Sequence, residues 1–421
     1  MSDRCQPRLG DTLTSEIIPD RLGFTNFGQE PIYVSNDNCT TCYCRMPRCP
    51  LFGQVAPRAQ FTWHDWHQQA PRWRCRACRA LVSARTGTAY AGIRTESTTY
   101  LRGAVALAEG MSIRATGRLL SVDKDVDKDT VNHWLPVLGR HCQGVMHYFF
   151  RHLHLRECQL DELWTFVAKK EAHLTPLEKL ATISGDAWVW IAFSPVYKLV
   201  PAWVVGKRTL RDARRLVLRL QAATDGHVPF FTSDALPHYA DALLEVYGVC
   251  DTPPRQGTRG RVPKPRRYPP PDLCYAVVVK ERAHGRVIHV TTRIVYGTTE
   301  QVEAALRASP VSHTINTYGV ERNNLTVRQQ ARRMGRKVNA FSKDKNYLEY
   351  QLTLAFAYYH FVVPHRSLRQ RLPHPMPTKG HNGSPKKWKP VTPAMAAGLT
   401  DHVWTMDELL SFRAPPHSLW E

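Results

Sequence analysis

The chain has 421 residues, enough for two or three domains, and its 43% hydrophobic content excludes wholesale disorder. Lys and Arg number 57 against 36 Asp and Glu, and the resulting formal charge of +21 sets up a field that favours a polyanion, nucleic acid first. With no apolar leader region and no apolar run of about eighteen residues, the pattern points away from a membrane and towards a cytoplasmic location.

Residues 1–35 are polar and without period, a lead-in segment. Eleven cysteines, clustered early, fit metal binding in a reducing compartment better than a disulfide framework. Cys39-Thr-Thr-Cys42 and Cys75-Arg-Ala-Cys78, separated by 32 residues, have the form of two knuckles completing one four-cysteine zinc site, which predicts a zinc ribbon over 36–85. Cys44 and Cys49 are alternatives for the first pair, and His64 and His67 rank below the cysteines because Trp63 and Trp66 mark that segment as packing. Arg72, Arg74, Arg76 and Arg79 surround the second pair, so DNA contact beside the knuckle competes with a merely solvated face.

Helical patterns follow from 96 to 142. Gly110 is expected to end a first helix, and Ser112 to cap a second. A third opens at Asp129-Thr130-Val131-Asn132-His133-Trp134, completing a helix-turn-helix with Thr130, Asn132 and His133 as base-reading candidates. Val-Asp-Lys-Asp at 122–125 is repeated at 126–129, which lengthens the turn.

The block 155–370 reads as mixed α/β. Strands are predicted over 159–167, 187–193, 199–205 and 229–232, with a hairpin from Cys274 to Tyr296 turning at His284-Gly285. Helices are predicted over 210–223, 236–247 and 299–308, besides the one carrying Glu321. A Pro-rich basic loop at 251–272, with Arg255, Arg259, Arg261, Lys264, Arg266 and Arg267, is expected to be a DNA-contacting arm. From 371 to 421 a linker leads to a docking appendage with a short helix near 405–412.

Acids at the ends of apolar strands in so basic a block need an explanation. Asp161 interrupts the strand Gln159–Val167, and Asp234 follows Pro-Phe-Phe-Thr-Ser at a strand end. With Glu321 they make three carboxylates that, converging at the ends of a sheet, would bind two Mg2+ ions for phosphoryl displacement. Glu162 is expected on the opposite face of the strand and outside that set. Arg328, seven residues after Glu321 on one helix face, would steady a phosphate, while Arg322, Arg332, Arg333, Arg336 and Lys337 track a DNA backbone and Asn323 and Asn324 orient it or the acid. Tyr358, Tyr359 and His360 invite a tyrosine-recombinase reading, but LTLAFAYYHFVV is better explained as a packed helix.

The contexts of Asp161, Asp234 and Glu321, above all Val320-Glu321-Arg322-Asn323-Asn324-Leu325 with Arg328 and Phe341-Ser342-Lys343, resemble the DDE transposases of bacterial insertion sequences, closest to the insertion-sequence-one group. The knuckles and helix-turn-helix are similar to that group's DNA-binding region, and the likeness spans about 39–370. It implies a multidomain α/β protein: zinc ribbon, helix-turn-helix, then an RNase H-like catalytic domain with a basic loop insertion and C-terminal tail. It further implies two Mg2+ or Mn2+ ions per active site, one structural Zn2+, double-stranded DNA as partner through terminal inverted repeats and target, and a homo-oligomer on paired ends. The alternative expectation is a DNA-binding regulator derived from an inactive transposase.

Overall fold

The structure, a computed structural model, describes residues 44, 46–52, 60–67, 70–121, 126–181, 184–253, 264–335, 338–377 and 384–413. They fall into two compact units, one drawn from residues up to 86 and from 249–268, the other from Gly87–Gly248 and 269–413.

In the first unit, β1 (Phe61–His67), β2 (Ala70–Cys75) and β3 (Leu81–Ser83) form an antiparallel sheet. Alternation along β2 turns Trp73 and Cys75 inward and leaves Arg72 and Arg74 half-buried. Among the described residues Phe61, Trp73 and Val82 are the apolar side chains that cluster with the buried cysteines, a core too small to hold a fold unaided.

The second unit opens with α1 (Ser97–Ala108), α2 (Ile113–Leu120) and α3 (Lys128–Phe149). Ser112 caps α2 by accepting from the Ala115 amide at 3.2 Å, and Asp127 caps α3 by accepting from Thr130 at 2.7 Å. The second copy of the tandem repeat therefore has a structural use, since Val126 is buried and Asp127 is the cap; residues 122–125 of the first copy lie outside the described residues.

The chain then alternates strand and helix. β4 (Glu157–Val167) and α4 (Pro176–Ala181) precede β5 (Gly185–Ser194), β6 (Leu199–Gly206) and α5 (Leu210–Ala223), after which come β7 (Phe230–Asp234) and α6 (Pro237–Tyr247). β8 (Val249–Asp251) and β9 (Arg266–Tyr268) pair antiparallel within the first unit, so the flanks of the expected basic arm are a short hairpin. The second unit continues with β10 (Tyr275–Ala283), β11 (Arg286–Tyr296), α7 (Thr299–Ala308), α8 (Tyr318–Gln330) and α9 (Lys345–Phe361). It closes with β12 (Gln370–Met376), β13 (Lys386–Lys389), α10 (Pro393–Ala396) and α11 (Met406–Ser411). The predicted strands and helices of this block match the observed ones to within a few residues, and the hairpin turns at His284 and Gly285, both at positive φ.

Six strands make one mixed sheet in the order β11-β10-β7-β4-β5-β6. β4, β7 and β10 run parallel, while β5 and β6 on one side and β11 on the other are antiparallel to their neighbours. β7 is short. It ends at Asp234, whereas β4 on one side runs on to Val167 and β10 on the other to Ala283.

One expectation about organisation changes. The helix-turn-helix segment is not a separate body: Leu107, Trp134 and Leu138 belong to the same continuous core as Leu160, Val189 and Phe231 of the sheet. The C-terminal appendage docks, as its short helix led one to expect, with Trp404, Met406, Leu409 and Leu410 buried in that core. Apolar faces on α3, α9 and α11 explain both features, since each buries its stripe against the others.

Candidate metal centres

In the first unit Cys44, Cys49, Cys75 and Cys78 place their sulfurs within 4.8 Å of one another. Cys44 and Cys78 stand 3.4 Å apart, Cys49 and Cys75 3.8 Å. Tetrahedral coordination with Zn–S bonds near 2.3 Å puts sulfurs roughly 3.8 Å apart, so the donor set and spacing fit zinc. Cys44 and Cys49, the alternatives to the expected first pair, are the ones that join Cys75 and Cys78 among the described residues, and Cys39 and Cys42 lie outside them. Burial pushes the Cys44 and Cys49 thiols up, so an entering zinc ion displaces protons there. His64 is engaged elsewhere, with Arg74 at 2.8 Å and Asp65 at 3.1 Å.

The second centre lies where β7 stops. The register of β4 with β7, ending in Leu160 opposite Ser233, brings Asp161 beside Asp234. Asp161, Glu162 and Asp234 each offer an oxygen within 4.8 Å of the others. Here the expectation for Glu162 fails. Alternation sends it to the face opposite Asp161, yet among the described residues no strand lies between β4 and β10 beyond Asp234, and the carboxylates come together in that notch. Glu162 is held by Arg208 at 2.7 Å on one oxygen and by the Tyr239 hydroxyl at 2.8 Å on the other.

Burial pushes the Asp161 carboxyl up to about 7, with the neighbouring Glu162, Asp234 and Glu321 charges adding to it. Burial, then the Asp234 charge, likewise raises Glu162. Crowded carboxylates that resist ionisation are a site that a hard divalent cation relieves, and all-oxygen donors suit Mg2+ or Mn2+.

Glu321 is not brought into this group. It lies on the first turn of α8, where its Oε1 accepts from Lys280 at 2.5 Å and from Thr317 at 2.8 Å. Burial acts to raise this carboxyl, but the Lys280 and Thr317 bonds and the Arg282 charge outweigh it and the net shift is downward. What α8 does deliver is Asn324, whose Nδ2 donates to Asp161 Oδ2 at 2.6 Å. The Oδ1 of Asn324 is buried and has no hydrogen-bond partner among the described residues. α8 lies this close to β4 because Gly319 has no side chain: a Cβ there would come 2.7 Å from Gln159 Oε1, the atom that accepts from the Val320 amide.

The other predicted residues scatter. α8 ends at Gln330, and Arg332 and Arg333 fall in a 3-10 turn rather than on a continued helix; Arg336 and Lys337 lie outside the described residues. Arg328 donates to the Met334 carbonyl at 2.7 Å, tying the end of α8 to that turn. Arg333 is half-buried, 6.0 Å over the Tyr347 ring and 3.3 Å from Ser342 Oγ, whereas Arg322 and Arg332 are exposed. At the start of α3, His133 is exposed, Thr130 half-buried, and Asn132 bonded to the Tyr347 hydroxyl at 3.2 Å. Lys264, Arg266 and Arg267 are exposed, and Arg255, Arg259 and Arg261 lie outside the described residues.

Tyr358, Tyr359 and His360 are buried in α9, as the packed-helix reading expects. Tyr358 donates to Glu109, Tyr359 to the Lys198 carbonyl, and His360 Nε2 accepts from the Val200 amide. Among the described residues no helix is long and apolar enough to cross a membrane. Set against known proteins, the chain matches no family model and no curated sequence.

Proposed function

We propose that the protein is a metal-dependent DNA transposase of the DDE type, acting on the terminal inverted repeats of an insertion sequence and on target DNA, and assembling as a homo-oligomer on paired ends. The observation that carries this reading is the meeting of Asp161 and Asp234 on adjacent parallel strands, with Glu162 beside them and α8 laying Asn324 against Asp161. The strand order supports an RNase H-like domain, in which three antiparallel strands lead into two parallel ones with the first strand central, as β6-β5-β4-β7-β10 does.

Divalent cations bound there supply charge stabilisation for phosphodiester hydrolysis and for strand transfer by the freed 3'-hydroxyl. Asp161 and Asp234 would hold them, with Glu321 as a further ligand. Asn324 fixes the Asp161 carboxylate, while Arg208 and Tyr239 fix Glu162. A structural zinc on the four cysteines would keep the first unit folded for DNA contact. The fold commits the Arg328 guanidinium to the Met334 carbonyl, so phosphate contact is better sought at exposed Arg322 and Arg332.

A regulator that only binds DNA has no use for buried, mutually repelling carboxylates, which favours the enzyme over that alternative. The deciding experiment incubates purified protein and Mg2+ with labelled DNA carrying the flanking ends of its own element. Nicks at the element ends that vanish in Asp161→Asn support the reading, and intact DNA with bound protein supports the regulator.

A further inference from the structure

The third acid of the proposed triad is held by a cation from a neighbouring strand. Lys280 lies two residues beyond Val278, the residue of β10 paired with Asp234, so β10 carries its ammonium past the end of β7 to the open side of the notch. There it takes Glu321 Oε1 at 2.5 Å, and Glu321 stays out of the Asp161, Glu162 and Asp234 group.

From Val279 onward β10 has β11 as its one partner in the sheet, and β11 is exposed from Arg286 to Arg293. Lys280, Arg282, Arg286 and Arg293 stand on this ribbon against Glu281, with Val287, Ile288 and Val290 exposed between them. A two-stranded ribbon fits the major groove of a duplex, and its cations match phosphates. Side-chain exposures of 29% for Lys280 and 43% for Glu321 leave the pair within reach of DNA and weakly held by water-screened attraction. A phosphate is a strong competing acceptor for the ammonium.

We propose that Lys280 is a positioning residue. In the free protein it keeps Glu321 off the acid cluster, and on duplex DNA it exchanges Glu321 for a backbone phosphate, releasing the carboxylate to complete the metal site. The inference rests on the metal-dependent reading above.

The test uses the full chain, with Mn2+ as probe read by electron paramagnetic resonance. Without DNA, Lys280→Gln is expected to bind Mn2+ about fivefold more tightly than the wild type, in the range of ordinary coupling between sites. Lys280→Arg, which keeps the cation, should match the wild type. In the double variant with Glu321→Gln the gain should disappear, and a duplex should add less to Mn2+ affinity in Lys280→Gln than in the wild type. Unchanged affinity in Lys280→Gln overturns the exchange, as does a gain that survives Glu321→Gln, which would be the effect of lost positive charge alone. If Asp161→Asn binds Mn2+ as the wild type does, the metal reading itself falls and the exchange with it.

Discussion

Asn324 of α8 donates a 2.6 Å hydrogen bond to Asp161 of β4, and this one contact couples the helix carrying Glu321 to the strand carrying the most perturbed carboxyl of the site. A carboxylate oriented this way presents its remaining lone pairs to the notch instead of swinging between rotamers.

Asp161→Asn, Asp234→Asn and Glu321→Gln are each expected to abolish strand cleavage and leave end binding intact, because each removes a ligand charge with little change of shape. Asn324→Ala should retain cleavage at a level lower by about 10- to 100-fold, the usual cost of losing a group that orients a ligand. Cleavage on labelled ends, with a mobility-shift control, checks all four; normal cleavage in the three acid variants would remove the catalytic assignment.

The Asp161 carboxyl is raised to about 7, above its unfolded value near 3.9, so the folded state binds this proton more tightly than the unfolded chain. Its contribution is fully present below about pH 4 and is lost as pH rises towards 7, at most on the order of 4 kcal/mol for a shift of this size. In magnesium-free buffer the wild type should therefore lose melting temperature between pH 5 and 8. Asp161→Asn should lose less. Parallel thermal scans decide it, and equal falls in the two proteins would mean that burial of Asp161 costs nothing.

A chelator is expected to strip one zinc per chain and unfold the first unit without melting the second, since the small apolar cluster of Phe61, Trp73 and Val82 cannot replace the metal. Cys44→Ser and Cys49→Ser should lower zinc content as Cys75→Ser and Cys78→Ser do, whereas Cys39→Ser and Cys42→Ser should leave it unchanged. Elemental analysis of the six variants separates the two assignments of the first pair.

Gly319→Ala should destabilise the second unit by about 1–3 kcal/mol, because its methyl group would meet Gln159 Oε1 at 2.7 Å and Phe193 at 3.0 Å. Gln159 cannot yield freely, as it also donates to the Asn316 carbonyl at 3.1 Å. Moving α8 off β4 should lengthen the bond from Asn324 to Asp161, so cleavage should drop with stability. Denaturant unfolding together with cleavage rates checks the pair, and a stable, fully active variant would show that α8 is free to shift.

Local pattern was enough for the elements: short apolar runs marked β4, β5 and β6, and amphipathic spacing marked α5 and α7. It was enough also for Asp161 and Asp234 as unusual acids, because a carboxylate inside an apolar strand is expensive wherever the strand is placed. The membership of the two metal centres was decided elsewhere. Alternation along one strand says that Asp161 and Glu162 diverge, and only the early end of β7 opens the space in which they meet. Spacing said that two C-x-x-C pairs would share an ion, and only the folded ribbon shows that Cys44 and Cys49, which match no such spacing, come together with Cys75 and Cys78. The cationic partner of Glu321, Lys280, is 41 residues away on β10, and no period within α8 encodes it. Sequence determines what each residue costs to bury and which face it takes; strand length and register, which depend on the whole sheet, decide which charges become neighbours.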